Sequence, residues 1–303
     1  APAGADLQIP GLTPLYVPND EFYRIDTALI PPAIDPDQWQ LEVRGRVDHP
    51  FTLNYAELMD LPQIEADITL ACVSNEVGGD LVGNARWQGV RLADLLTRAG
   101  VREDGTQLIG HSSDGFTAGF PVEIAQRSDN AMVAVAMNGE PLPVDHGFPA
   151  RLVIPGLYGY VSATKWLTAI ELTGWDTDGY WIPRGWSKKG PIKTEARIDV
   201  PAPGSTVPSG RTVIAGVAWA PARGIDAVEV KIDDQPWRAA TLADALGVDT
   251  WRQWHGSWDL TPGRHTVTAR ATDGTGAVQT AEEAPPAPDG ASGYPSIQVT
   301  VEA

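Results

Sequence analysis

The period of the apolar positions changes repeatedly along the chain, and each change predicts an element. Trp39 to Val47 alternates apolar and polar residues, which reads as a strand, and Thr52 is followed by a short helix from Asn54 to Leu61. The apolar run Ile68 to Ala71 reads as a strand that stops at Cys72, where Ser74-Asn75 and Gly78-Gly79 signal a loop. From Val90 to Gly100 the period lengthens. Leu92, Leu95, Leu96 and Ala99 fall three and four apart, the stripe of an amphipathic helix, and Gly100 ends it. Ala131 to Met137 is continuously apolar, as in a buried strand, and Asn138-Gly139 turns the chain toward Glu140-Pro141.

Beyond Lys193 the texture changes to Pro201-x-Pro203-Gly204-Ser205 and then to short alternating runs. Val213 to Trp219, Ala227 to Ile232, Trp237 to Thr241, Trp251 to Leu260, Arg264 to Thr272 and Ser296 to Val301 read as strands of an immunoglobulin-type β-sandwich. The Pro/Ala/Gly stretch from Glu282 to Ser292 reads as a mobile loop between the last two. A chain of 303 residues fits two domains at the usual ~100–200 residues each. The expected division is an extended Pro/Gly/Ala-rich arm over 1–20, a mixed α+β domain over 21–195 and an all-β domain over 196–303, the last compact enough to fold alone.

Charge narrows the function. A formal charge of −17 argues against nucleic acid as a partner, because phosphate backbones call for a basic surface. No run reaches the ~18 apolar residues of a membrane-spanning helix. Cys72 is the single cysteine, which excludes an internal disulfide, a multi-cysteine metal site and a two-cysteine haem attachment. The five histidines, at 49, 111, 146, 255 and 265, show no helical ligand pairing, and no Gly-x-Gly-x-x-Gly follows a strand. His111-Ser112-Ser113-Asp114-Gly115 fails as a hydrolase nucleophile elbow, because Asp114 breaks Gly-x-Ser-x-Gly. What remains is a thiol at a strand end, facing a glycine loop where a ligand can reach it.

The residues around that thiol carry a resemblance. Leu70-x-Cys72-x-x-Asn75, then Ala85-Arg86-Trp87-x-Gly89-Val90-x-Leu92 and Asp94-Leu95-Leu96, resemble the molybdopterin domain of the sulfite oxidase family. A second block strengthens it: Met137-Asn138-Gly139-x-Pro141-Leu142-Pro143-x-Asp145-His146-Gly147-Phe148-Pro149-x-Arg151, with Lys165-Trp166-Leu167 after it. Gly216-Val217-Ala218-Trp219, Val228-x-Val230-x-Ile232-Asp233 and Trp258 resemble the immunoglobulin-like domain that follows in that family and often forms its dimer interface.

The resemblance implies a fold, a cofactor and roles. Cys72 becomes the one protein ligand to molybdenum, a soft thiolate beside the sulfurs of a pyranopterin dithiolene. Asn75 belongs to the same cofactor-binding loop. Phe22 and Tyr23 lie in the segment that crosses the cofactor, and Arg24 sits close to a substrate-pocket arginine. Asp114, Phe116 and Thr117 fall beside the pterin. His146, Arg151 and Lys165 match the residues that hold the cofactor's phosphate, a group that an acidic protein can hold only with local charge-assisted donors. Ser162 stands where relatives often carry a basic side chain. Two positions depart. A pocket tyrosine falls at Gly185 or Trp186 here, and an arginine expected five residues after the cysteine is Val77. Both departures leave sulfite open as the substrate, with Arg184, Lys188 and Lys189 as candidates to restore positive charge.

The implied activity is two-electron oxygen-atom transfer on a small substrate. The implied electron partner is external, cytochrome-like or a membrane redox component, and the implied setting is extracytoplasmic, as in bacterial members associated with a membrane. A homodimer is expected from the second domain. The alternative is a non-catalytic extracellular binding module with a degenerate cofactor site.

Overall fold

A computed structural model of the protein describes residues 1–302. Its first part runs β1 Gln40–Gly45, β2 Phe51–Asn54, α1 Tyr55–Asp60, β3 Gln63–Ala71, β4 Val82–Arg91, α2 Leu92–Ala99, β5 Gln107–Ser112, β6 Thr117–Pro121, α3 Val122–Arg127, β7 Met132–Met137, β8 Glu140–Pro141, β9 Arg151–Val153, α4 Gly159–Ser162 and β10 Leu167–Thr173. These strands form two five-stranded sheets, β2-β1-β10-β5-β6 and β3-β4-β7-β8 with β9 paired to β7. The main core lies between them. Leu41, Val43, Leu152, Leu167 and Ile170 meet Leu92, Leu95 and Leu96 of α2 with at most 2% of any side chain exposed.

The short helices follow their local signals. Asn54 caps α1 by accepting from Glu57 N while the Glu57 carboxylate accepts from Asn54 N, a reciprocal capping box. Gly100 ends α2 in the left-handed region at φ 65°. Asn138 and Gly139, both at positive φ, turn β7 into β8. Val90 and Arg91 complete β4 instead of opening α2. Helix is about a tenth of the chain, so the first part is β-rich with helical connections, and the mixed α+β description overstates its helices.

The rest gives β11 Glu195–Val200, β12 Thr206–Val207, β13 Gly210–Trp219, β14 Ile225–Ile232, β15 Arg238–Ala239, β16 Thr241–Leu242, β17 Arg252–Leu260, β18 Gly263–Asp273 and β19 Ser296–Val301. They form a sandwich of two sheets, β11-β13-β17-β16 and β12-β19-β18-β14-β15. The core between them rests on Trp254, Trp258, Val228, Val230, Val267 and Val299. The loop expected to be mobile is tied down. Ser292 N and Ala284 N exchange backbone bonds across it, Ser187 N donates to Pro288 O, and the Lys193 ammonium reaches Asp289 and Gly290.

A third apolar cluster joins the two parts. Along β3 the side chains alternate, so that Ile68 and Leu70 face the first part's second core while Thr69 and Ala71 face the sandwich. Ala71, Val73 and Val82 pack there with Val217, Trp219 and Trp251. Arm residues Ala5 and Leu15 fill the same seam, 1% and 3% exposed. Leu15 O accepts from Trp251 Nε1 at 3.0 Å and from Asn84 Nδ2 at 2.9 Å, and Gln253 Nε2 donates to Thr13 O at 2.8 Å.

Candidate cofactor and substrate site

The strand end at Cys72 opens onto a cleft of about 900 Å³, counted to its open mouth. Cys72 N donates to Leu81 O, Asn75 N donates to Cys72 O, and Asn75 Oδ1 accepts from Leu81 N at 2.9 Å, which closes the loop into a short neck. A Cβ on Gly79 would meet Asn75 Oδ1 at 2.5 Å, so this neck requires glycine there. Burial pushes the Cys72 thiol up, and Ser74 N–H, 3.4 Å from Sγ, pulls the other way. The sandwich holds the outer side of the loop, where Arg197 Nη1 donates to Gly79 O at 3.1 Å.

Phe22 crosses behind the cleft. Its ring stacks on Tyr23 at 5.2 Å and stands edge-on to Trp87 and His146 at 5.8 and 5.7 Å. Gly83 makes room for it, since a Cβ there would sit 2.7 Å from the Phe22 ring.

Arg151 and Lys165 line the same cleft from its inner side, 3% and 8% exposed. Arg151 starts β9, where Leu152 faces the main core and the guanidinium turns the other way, over the Trp87 ring at 5.1 Å. It donates to His146 O at 3.1 Å and Leu152 O at 3.4 Å, and has no carboxylate partner among the described residues. Burial lowers Arg151 to about 10, and burial with the neighbouring Arg151 charge lowers Lys165 to about 8. His146 is lowered to about 4 by burial, with Arg151 and Lys165 adding to it. Its Nε2 donates to Asn19 O at 2.7 Å, and its Nδ1 is buried without a partner.

The residues singled out in the sequence divide into two groups. Phe22, Tyr23, Cys72, Asp114, Phe116, Arg151, Lys165 and Trp186 line the cleft. Arg24, Asn75, Thr117, His146 and Ser162 do not. Arg24 is drawn outward into ion pairs with Asp26 at 3.0 Å and Asp145 at 3.2 Å. Asn75 closes its loop, and Thr117 contributes its carbonyl to Tyr180 N. His146 supports Arg151 through its carbonyl. Ser162 Oγ turns back onto Tyr158 O at 3.0 Å within α4. Asp114 lines the mouth and also accepts from Phe116 N at 3.0 Å, an Asx turn.

Several lining residues carried no signal in the sequence. Asp26 is the foremost, since its Oδ2 lies 3.1 Å from Lys165 Nζ and 3.0 Å from Arg24 Nε. Arg24 and Lys165 together hold its carboxyl below the usual range against the opposing effect of burial. Trp166 holds a left-handed φ of 50°, a rare and strained conformation for a bulky residue. Tyr160 and Trp181 complete an aromatic wall with Trp186.

Comparison with known proteins finds relatives along most of the chain. Residues 28–181 match the oxidoreductase molybdopterin binding domain family, and residues 195–269 match a bacterial Ig domain. The chain is 36% identical over 169 residues to the uncharacterized oxidoreductase YuiH of Bacillus subtilis, covering 56% of this chain and 82% of that protein. It is 30% identical over 274 residues to the mitochondrial sulfite oxidase of Rattus norvegicus, covering 76% of this chain and 50% of the relative. The chain thus spans about half the length of the mitochondrial sulfite oxidases it matches. The crystal structure of the sulfane dehydrogenase SoxCD from Paracoccus pantotrophus shares the fold, with a TM-score of 0.78 and 23% identity over 88% of this chain and 75% of that one. With its molybdopterin-binding domain and following Ig-like domain, this chain belongs to the sulfite oxidase family of molybdopterin-dependent oxidoreductases.

Proposed function

We propose that the chain catalyses two-electron oxygen-atom transfer at a molybdenum whose one protein ligand is Cys72. One observation carries this reading: the only thiol and a pair of buried cations short of counter-charge line a single cleft. The residues present fit the pterin cofactor. A buried guanidinium with only carbonyl acceptors, beside an ammonium lowered by burial and by that guanidinium, calls for an anion with several acceptor oxygens, as a terminal phosphate has. Arg151 and Lys165 would hold that phosphate, and Phe22 and Tyr23 would cover the ring system. When bound, the molybdenum cofactor supplies the two-electron couple that oxygen-atom transfer requires.

The remaining work falls to the chain. Asp26 fixes the Lys165 ammonium, Ser74 N–H steadies negative charge on Sγ, and Trp181 and Trp186 keep bulk water from the mouth. Electrons pass to or from a carrier outside these residues, cytochrome-like or membrane-held, a reading supported by the lack of a two-cysteine haem attachment, of a helical histidine pairing and of a dinucleotide fingerprint in the sequence. The setting we propose is extracytoplasmic and the assembly a homodimer through the sandwich, readable by cell fractionation and light scattering.

Metal and pterin analysis tests the reading. Protein from a host that makes and inserts the cofactor is expected to carry one molybdenum and one pterin per chain, and Cys72→Ser is expected to lose the metal. Wild-type protein from that host with molybdenum at background would overturn the proposal and favour the non-catalytic alternative.

A further inference from the structure

Between Phe22 in the first part's second core and Ile34 against its main core, the chain passes along the mouth of the cleft as a strap, with Ile25, Asp26 and Thr27 among the lining residues. Among the described residues, no backbone–backbone hydrogen bond is made from residue 23 to residue 34, and Leu29 and Ile30 at the strap's tip are 101% and 82% exposed. Neither regular structure nor apolar packing holds the tip in place. The strap depends on polar side chains, as a segment of low local stability does.

Asp26 does most of the holding. Its Oδ2 lies 3.1 Å from Lys165 Nζ, 139 residues further on, and 3.0 Å from Arg24 Nε. Its Oδ1 accepts from Ala28 N at 3.1 Å, which sets the turn toward Leu29. The ion pair is enclosed, with 10% of the Asp26 side chain and 9% of the Lys165 side chain exposed. Thr27 Oγ1 adds a longer contact, 3.5 Å to Asp114 Oδ2 at the mouth.

One carboxylate thus touches both the cation assigned to the cofactor's phosphate and the turn of the strap. An ammonium has three N–H donors. Lys165 gives one to Asp26 and one to Asp145 O at 3.0 Å, which leaves one for a phosphate and pins the long side chain beforehand. Arg24 answers the Asp26 charge, so Arg151 and Lys165 keep their positive charge for a group that carries about −1.5 to −2. A phosphate that orders Lys165 therefore orders Asp26 and, through Ala28 N, the turn. Linkage makes the effect reciprocal, since an ordered strap steadies the cation that holds the phosphate. We propose, resting on the pterin reading, that Asp26 is a positioning residue that couples the two: cofactor binding fastens the strap at the mouth, and the fastened strap retains the cofactor.

Amide hydrogen exchange reads this coupling. Loaded wild-type protein, with molybdenum and pterin measured on the same sample, is compared with cofactor-free protein from a host that cannot make the cofactor. Amides of residues 24–30 are expected to exchange at least tenfold more slowly in the loaded protein, with those of β17 and β18 in the sandwich as the internal reference. Asp26→Asn keeps an oxygen for Ala28 N and removes the charge from Lys165. It is expected to cut the protection to less than threefold and to release pterin on dialysis at least tenfold faster. A residue that only supported the fold would change strap exchange equally with and without cofactor. The wild-type comparison stands whether or not the variant folds. Loaded wild type whose strap exchanges as fast as the cofactor-free chain, or Asp26→Asn protein that keeps the full protection or holds its pterin as well as wild type, overturns the inference and leaves the cofactor assignment standing. Wild-type protein from a cofactor-making host that carries no pterin overturns the assignment and this inference with it.

Discussion

Replacing Lys165 by methionine separates what the site does for stability from what it does for binding. In the chain without cofactor, burial and the Arg151 charge lower the ammonium from 10.5 to about 8. At about 1.4 kcal/mol per pH unit, that is about 3 kcal/mol held against folding at neutral pH. The sign follows from the direction. A lysine lowered in the folded state is charged in both states below pH 8, so its cost is fully present at neutral pH and is relieved only as pH rises from about 8 to 10.5. Lys165→Met removes the charge and keeps most of the stem volume. Asp26 keeps Arg24 as a partner, at the surface side. Cofactor-free protein is therefore expected to gain about 1–3 kcal/mol in urea unfolding at pH 7. The same variant loses a charge-assisted contact to the phosphate, of about 1.5–3 kcal/mol, and should retain pterin about 10- to 100-fold more weakly on dialysis. A variant that is less stable than wild type without cofactor, or that keeps its pterin as well as wild type, refutes the reasoning.

Two further outcomes concern the sandwich side. Burial raises Glu195 from 4.5 to about 8, so the folded chain keeps a proton that the unfolded chain releases, and stability falls as pH rises from 4.5 to 8. Glu195→Gln should be about 2–4 kcal/mol more stable than wild type at pH 7.5 and nearly equal at pH 4.5, and parallel urea midpoints across that range would contradict this. Trp251 is 1% exposed, and its backbone N–H donates to Thr69 Oγ1 at 2.7 Å, three residues before the cysteine. Trp251→Ala should cost about 3–5 kcal/mol and also lower molybdenum content, and loss of stability with full metal loading would show the seam to be uncoupled from the site.

What the sequence disclosed was local. The amphipathic stripe of α2, the Asn138-Gly139 turn and the strand ending at Cys72 are each written in a few adjacent residues. The Arg151 and Lys165 pair was legible through its motif. The strand β4 was harder to read, because Gly83, Asn84 and Gly89 are poor strand formers, yet close packing requires the glycines. A Cβ on Gly89 would lie 2.1 Å from Val133 O, just as one on Gly83 would strike Phe22. The direction of Arg24 was not legible because it depends on Asp26 and Asp145, the second of them 121 positions further on, and only the fold brings it near. Trp166 gave no sign of its left-handed backbone, since nothing in Lys165-Trp166-Leu167 favours that conformation.

The arm that fills the seam fixes an order of events during synthesis. Its partners lie far along the chain: Leu7 is 246 residues from Gln253 and Leu15 is 236 from Trp251. Contacts of such separation form late, because a long loop must close before they return any energy. The segment that leaves the ribosome early is thus among the last to find its place, and until residues 251 and 253 have emerged and folded, the outer face of the strand leading to Cys72 stays uncovered. A newly made chain passes through a period in which the thiol loop has one firm side and one open side. The settling of the arm brings that period to a close.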